Sequence, residues 1–147
     1  ERVNVVNASL IASQRGMRIT EQKGTASEHY KNLLTVEVAT SAGSTVVAGT
    51  SMWGQTRIVR INSYWLDITA SSGYMLVIEN KDRPGVIGAV GTIAGQADVN
   101  ISFMEVGRLA PRGRAMMAVG LDEPLPDEAK KRIMAFPGMY SVKLVKL

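Results

Sequence analysis

Residues 74–100 restrict the fold more than any other stretch of this chain. Tyr74-Met75-Leu76-Val77-Ile78 is a continuous apolar run of the right length for a buried strand. It gives way to Asn80-Lys81-Asp82-Arg83, which Pro84-Gly85 closes as a turn. Val86, Val90, Ile93, Ala94 and Ala97 then recur at helical spacing, and Ile87 widens the stripe. A second strand opens at Asp98-Val99-Asn100-Ile101. This order of strand, polar elbow, helix and strand predicts that Asn80, Asp82 and Asn100 meet at one end of a sheet.

The rest of the second half completes a repeat of that unit. After a strand over residues 99–106, a loop carries Pro111 with Arg108, Arg112 and Arg114, and residues 115–121 form another continuous apolar strand. Pro126 suits the first turn of a helix, and Asp127 and Glu128 suit its positive end. Leu125, Ala129, Ile133 and Phe136 give that helix its buried stripe, Pro137-Gly138 stops it, and residues 140–147 are the last strand. The order is βαββαβ, the ferredoxin-like arrangement with both helices on one face of an antiparallel sheet. A module of roughly 70 residues buries only about 60% of its extended surface, so pairing with a second copy is expected.

The first half reads differently. Residues 1–16 predict a helix entered at Asn7 and ended at Gly16, with Val3, Val6, Leu10 and Ile11 on its apolar side. Residues 18–22 predict a short strand. Leu34, Val36 and Val38 alternate with polar residues, as in a strand with one buried face. Three more strands follow, over 45–52, 56–61 and 64–68, joined by turns at Ser41-Ala42-Gly43-Ser44, Gly54-Gln55 and Asn62-Ser63. This antiparallel meander needs its apolar face covered, and the first helix is the expected cover. Trp53, Tyr64 and Trp65 flank the turns and are expected to pack. Thr69-Ala70-Ser71-Ser72-Gly73 reads as a linker, which divides an α+β chain into residues 1–72 and 73–147.

Composition excludes several functions. The 147 residues contain no cysteine, which removes thiol catalysis and thiolate metal sites. No apolar run approaches the roughly 18 residues of a membrane span. The net charge of +4 divides evenly between the halves without a basic block, so neither nucleic acid nor an anionic membrane is an expected partner. The only histidine, His29, lies in a polar segment without a carboxylate or serine motif, and the glycines of the R-P-G-V-I-G turn do not make a nucleotide-binding loop. The residues present no catalytic site and no metal site. They do present groups for a small zwitterion. The start of a helix seats a carboxylate, Asp82 suits an ammonium group, and the amides of Asn80 and Asn100 suit either.

Asp82-Arg83-Pro84-Gly85-Val86, the small-residue helix and Asp98-Val99-Asn100-Ile101 resemble the first half of an ACT domain, a small-molecule-sensing module. Val5-Val6-Asn7-Ala8, Val47-Ala48-Gly49-Thr50 and Arg57-Ile58-Val59-Arg60-Ile61-Asn62 look like the intervening, allosteric-substrate-binding domain that precedes ACT in long-form D-3-phosphoglycerate dehydrogenases. The resemblance covers nearly the whole chain. It implies a cytoplasmic regulatory region of an NAD-dependent oxidoreductase of serine biosynthesis, with a partial intervening domain over 1–72 and an ACT domain over 73–147. The catalytic part and its NAD would lie in an upstream portion, consistent with a chain that begins Glu1-Arg2-Val3-Asn4 without Met. L-serine would bind as feedback effector where two ACT domains meet, in a homodimer that becomes a tetramer in the full enzyme. The family's effector contacts carry over to Asn80, Asp82 and Asn100, around the turn of Arg83, Pro84, Gly85 and Val86. Position 80 departs from the pattern, which has an aromatic or imidazole side chain there. The family also holds an anion with basic residues of the first domain, which implies Arg57 and, with it, Arg60, although Thr69 stands at a second basic position. Two other readings remain open. One is an ACT-type oligomerisation scaffold without an amino-acid ligand. The other is an RNA-binding module, whose third strand would need aromatics that residues 115–121 lack.

Overall fold

The computed structural model describes residues 2–24, 30–69 and 73–147. One helix, α1 (Ala8–Gln14), precedes an antiparallel meander of β1 (Leu34–Thr40), β2 (Gly43–Met52), β3 (Gln55–Ile61) and β4 (Tyr64–Thr69). The second sheet is built from β5 (Tyr74–Lys81), β6 (Ile101–Arg108), β7 (Arg114–Leu121) and β8 (Met139–Lys146). Helix α2 (Val86–Gln96) connects β5 to β6, and α3 (Asp127–Ala135) connects β7 to β8. Strand order β6-β7-β5-β8, antiparallel throughout, is the ferredoxin-like arrangement.

Alternation along the second sheet sorts its two faces. Leu76 and Ile78 of β5 and Met117, Val119 and Leu121 of β7 pack with Val86, Val90, Ile93 and Ala94 of α2 and Ala129 and Ile133 of α3. Met75, Met116 and Ala118 point the other way, into a cluster with Ile61, Tyr64, Leu66 and Ile68 of the first sheet. The second sheet thus lies between a helical layer and the meander, with β4 against β6 and β7. Burial on both faces explains why residues 74–78 and 115–121 are continuous rather than alternating apolar runs.

This layering corrects the expectation that α1 covers the meander. The face of β4 is covered by the second sheet, and α1 buries only Ile11 and Ala12. Val3, Val6 and Leu10, expected on its apolar side, are exposed. The helix ends as expected, because Gly16 takes a left-handed φ of 69° and the N–H groups of Gly16 and Met17 bond back to Ser13 and Ala12 carbonyls. Residues 18–22 form no strand, and all are exposed. Strand β1 forms where the alternation placed it, yet all seven of its residues are exposed, including Leu34, Val36 and Val38. It is the outer strand of the meander, beyond the reach of the second sheet. Of the aromatics expected to pack, Tyr64 is buried, Trp65 stacks on Tyr30 at 6.1 Å, and Trp53 is exposed in a two-residue hairpin turn. His29 and most of the expected linker fall outside the described residues.

Close approach of the sheets makes one glycine necessary. A Cβ at Gly107 of β6 would lie 2.9 Å from Leu66 Cδ2 and 2.9 Å from the Trp65 carbonyl oxygen. Backbone atoms of β4 cannot yield as a flexible side-chain tip can. Gly107→Ala should therefore destabilise the chain by about 1–3 kcal/mol, measured by urea denaturation. Gly88→Ala, on an open face of α2 with no atom near the added methyl, should gain up to about 1 kcal/mol.

Candidate functional site

Strand β5 is longer than its apolar run suggests, so Asn80 and Lys81 belong to the strand and the elbow is residues 82–85. Two backbone bonds fix its position. Lys81 N–H donates to the Gly138 carbonyl at 2.8 Å, and Asp82 N–H donates to the Gly113 carbonyl at 2.8 Å. Gly85 then enters α2 at a left-handed φ of 91°, where any side chain would be strained. A glycine in the capping position has no side-chain acceptor to offer, so the first-turn N–H groups of α2 are left without a side-chain cap.

The elbow forms one wall of a cleft of about 380 Å³. Asp82, Arg83, Pro84, Gly85 and Ile87 line this wall, and Arg108, Pro111 and Arg112 line the opposite one. The Asp82 carboxylate joins the walls. It accepts the Arg112 N–H at 2.9 Å and an Arg108 Nη1 donor at 3.2 Å. Arg112 adopts a left-handed φ of 59°, an uncommon conformation for a residue with a Cβ. The Arg112 N–H is the main cause that holds the Asp82 carboxyl below its usual range; burial opposes it, and the Arg108 guanidinium adds to the lowering. Asp82 is therefore engaged within the chain by Arg108 and the Arg112 backbone.

The structure separates the other expected site residues. Asn80 is only 2% exposed, on the helix side of β5 after Leu76 and Ile78. Its Nδ2 donates to the Lys81 carbonyl, and its buried Oδ1 has no partner. Val86 is also buried, in the core beneath the elbow. Asn100 is at the far end of the sheet. Asn80 is opposite Ala115 on β7, whereas Ile101, next to Asn100, is opposite Leu121. Six residues of strand separate these positions, roughly 20 Å. The expectation that Asn80, Asp82 and Asn100 meet within one chain is thus overturned. Strands β5 and β6 both run antiparallel to β7, hence parallel to each other, and α2 returns the chain to the end where β5 began. There the Asn100 side chain is exposed and donates to Asp122 at 2.6 Å.

In the first sheet, Arg57 and Arg60 were expected on opposite faces of a regular strand. An irregularity in the β3–β4 register between Ile58 and Arg60 changes that. Arg57 is opposite Thr69 and Arg60 opposite Trp65, and those β4 residues share a face, so both arginines do too. Arg57 is paired with Asp67 but leaves its buried Nε without a partner, and Arg60 lies 5.7 Å from the Trp65 ring centre.

Ile87, Arg108, Pro111 and Arg112 are the cleft residues not assigned to the site from sequence, although three arginines within seven residues were an available signal for the last three. No group of three or more His, Asp or Glu among the described residues is placed to hold a metal, and no described helix is long and apolar enough to cross a membrane. The Asp82 bond makes a pH prediction. A carboxyl with a lowered folded pKa contributes above its unfolded pKa of about 4 and loses that contribution as pH falls through the lower folded value. Hydrogen-exchange protection of the Arg112 amide should therefore be constant from pH 7 down to about 4 and be lost only at lower pH, as the carboxyl protonates. In Asp82→Ala it should be low at every pH.

Comparison with known proteins accounts for both halves. Residues 1–62 match the family model of the D-3-phosphoglycerate dehydrogenase intervening domain, and residues 74–138 match that of the ACT domain. The chain is 36% identical over 148 residues to a D-3-phosphoglycerate dehydrogenase of Synechocystis sp., covering 100% of this chain and 26% of that protein. It is 36% identical over 147 residues to that of Bacillus subtilis and 33% identical over 147 residues to that of Archaeoglobus fulgidus, each time covering 99% of this chain and 28% of the relative. The chain spans about a quarter of the length of these curated relatives. Its two sheets, matched in turn by the intervening-domain and ACT models, place it in the D-3-phosphoglycerate dehydrogenase family, within the C-terminal regulatory region.

Proposed function

We propose that this chain senses L-serine, or a similarly small amino acid, at paired ACT domains and so regulates a D-3-phosphoglycerate dehydrogenase. The observation that carries this reading is the cleft at the uncapped start of α2, which offers N–H groups and the positive end of the helix dipole to a carboxylate. Asn100 enters the site from a second copy. β6 is an outer strand, and antiparallel pairing of two β6 strands brings the start of one beside the end of the other. Asn100 of the second copy then reaches the Arg108 end, beside the elbow. NAD and the oxidation of 3-phosphoglycerate belong, on this reading, to parts of the whole protein beyond these residues, and the ligand acts by its differential affinity for two arrangements of the assembly.

A second reading is favoured by the β3 irregularity, which turns Arg57 and Arg60 to one face with a guanidinium nitrogen unpartnered. An anion would be held there, on the first sheet. Thermal unfolding separates the two. L-serine at about 100 times Kd should stabilise by roughly 2.7 kcal/mol, raising Tm by roughly 5–10 °C. The shift should vanish in Asn100→Ala and persist in Arg57→Gln. An anion-specific shift lost only in Arg57→Gln would favour the first sheet. No response to any ligand would leave an oligomerisation scaffold.

A further inference from the structure

The cleft carries more positive charge than an amino-acid carboxylate can use. It presents Arg83, Arg108 and Arg112 against one carboxylate, Asp82, and that carboxylate is already engaged by Arg108 and the Arg112 backbone. The other two guanidinium groups are exposed and have no ion pair among the described residues. Each is nonetheless held near the cleft. Arg83 lies over the Phe136 ring at 5.6 Å, an arrangement that orients the guanidinium plane while leaving its N–H donors free. Arg112 is fixed through its backbone by the bond to Asp82, in a loop closed by Gly113 N–H to the Ala110 carbonyl at 3.1 Å.

We propose that Arg83 and Arg112 form a second anion subsite beside the amino-acid seat, so that this chain favours an amino acid whose side chain bears a phosphate or carboxylate over L-serine. The inference rests on the amino-acid reading above and specifies the class of ligand. A guanidinium fork matches the paired oxygens of either group, and Arg83 and Arg112 both line the cleft. The two sources differ in charge and shape, so they are tested separately.

The experiment is calorimetric titration of the 147-residue chain with L-serine, O-phospho-L-serine, L-aspartate and inorganic phosphate. One or both anionic amino acids should bind roughly tenfold tighter than L-serine, the scale of one added charged hydrogen bond. In Arg112→Gln, and separately in Arg83→Gln, that preference should fall to near unity. Thermal unfolding of each variant checks that it folds. Equal affinity for all three amino acids would overturn the subsite and leave the amino-acid seat. A preference that survives both variants but disappears in Arg57→Gln would overturn it in favour of the first sheet. Phosphate binding lost in Arg112→Gln, with no response to any amino acid, would support the anion subsite and overturn the amino-acid seat.

Discussion

The direction of β5 and β6 on either side of β7 decides what this module can bind alone. Both strands run against β7, so the elbow after β5 and the entry to β6 are at opposite ends of one sheet. An 11-residue α2, about 16 Å long, spans the return. No rotamer change moves Asn100 across that distance. A site containing both the elbow and Asn100 would therefore be a site between copies, and on the proposed reading binding would be linked to assembly through geometry rather than through an added device.

The second constraint is the burial of the ACT sheet on both faces. Helices cover one face and the meander covers the other, and the meander reaches it through β4. Gly107 and Arg108 are neighbours on β6 with different partners. Gly107 lies under the backbone of β4, while Arg108 bonds to Asp82 at the elbow. One strand end therefore touches both the cleft and the packing between the sheets. A ligand that draws Arg108 from Asp82 acts one residue away from a contact with no spare volume, where small displacements are poorly absorbed.

Most of the second sheet was legible because its signals agree. Continuous apolar runs, Pro126 and Pro137-Gly138 at the ends of a helix, and the Pro84-Gly85 turn all favour one order of elements, and the structure has that order. The first half was legible as a helix and a meander of strands, but not in how its faces are covered. Alternation placed β1 correctly but did not reveal that Leu34, Val36 and Val38 face solvent, because periodicity reports a face and not its cover. The helix expected to cover the meander was a local choice, whereas the actual cover comes from residues 75–118, distant in sequence. The site was read less well. Asp82 was identified, but its partners within the chain, Arg108 at the end of β6 and the Arg112 backbone in the loop after it, come 26 and 30 residues later. Arg57 and Arg60 were placed on opposite faces because a single extra residue in the ladder leaves no mark in their spacing.

Mixing two inactive variants tests the shared site most directly. Asp82→Ala lacks an intact elbow and Asn100→Ala lacks the residue supplied to the other copy, so each alone should lose the thermal response to L-serine. A mixed dimer recombines the intact elbow of one chain with the intact Asn100 of the other. After unfolding and refolding together at equal concentration, the mixture should regain part of the response, with one functional site in each mixed dimer. A mixture as unresponsive as its components, while sedimentation shows that mixed dimers have formed, would contradict a site divided between copies.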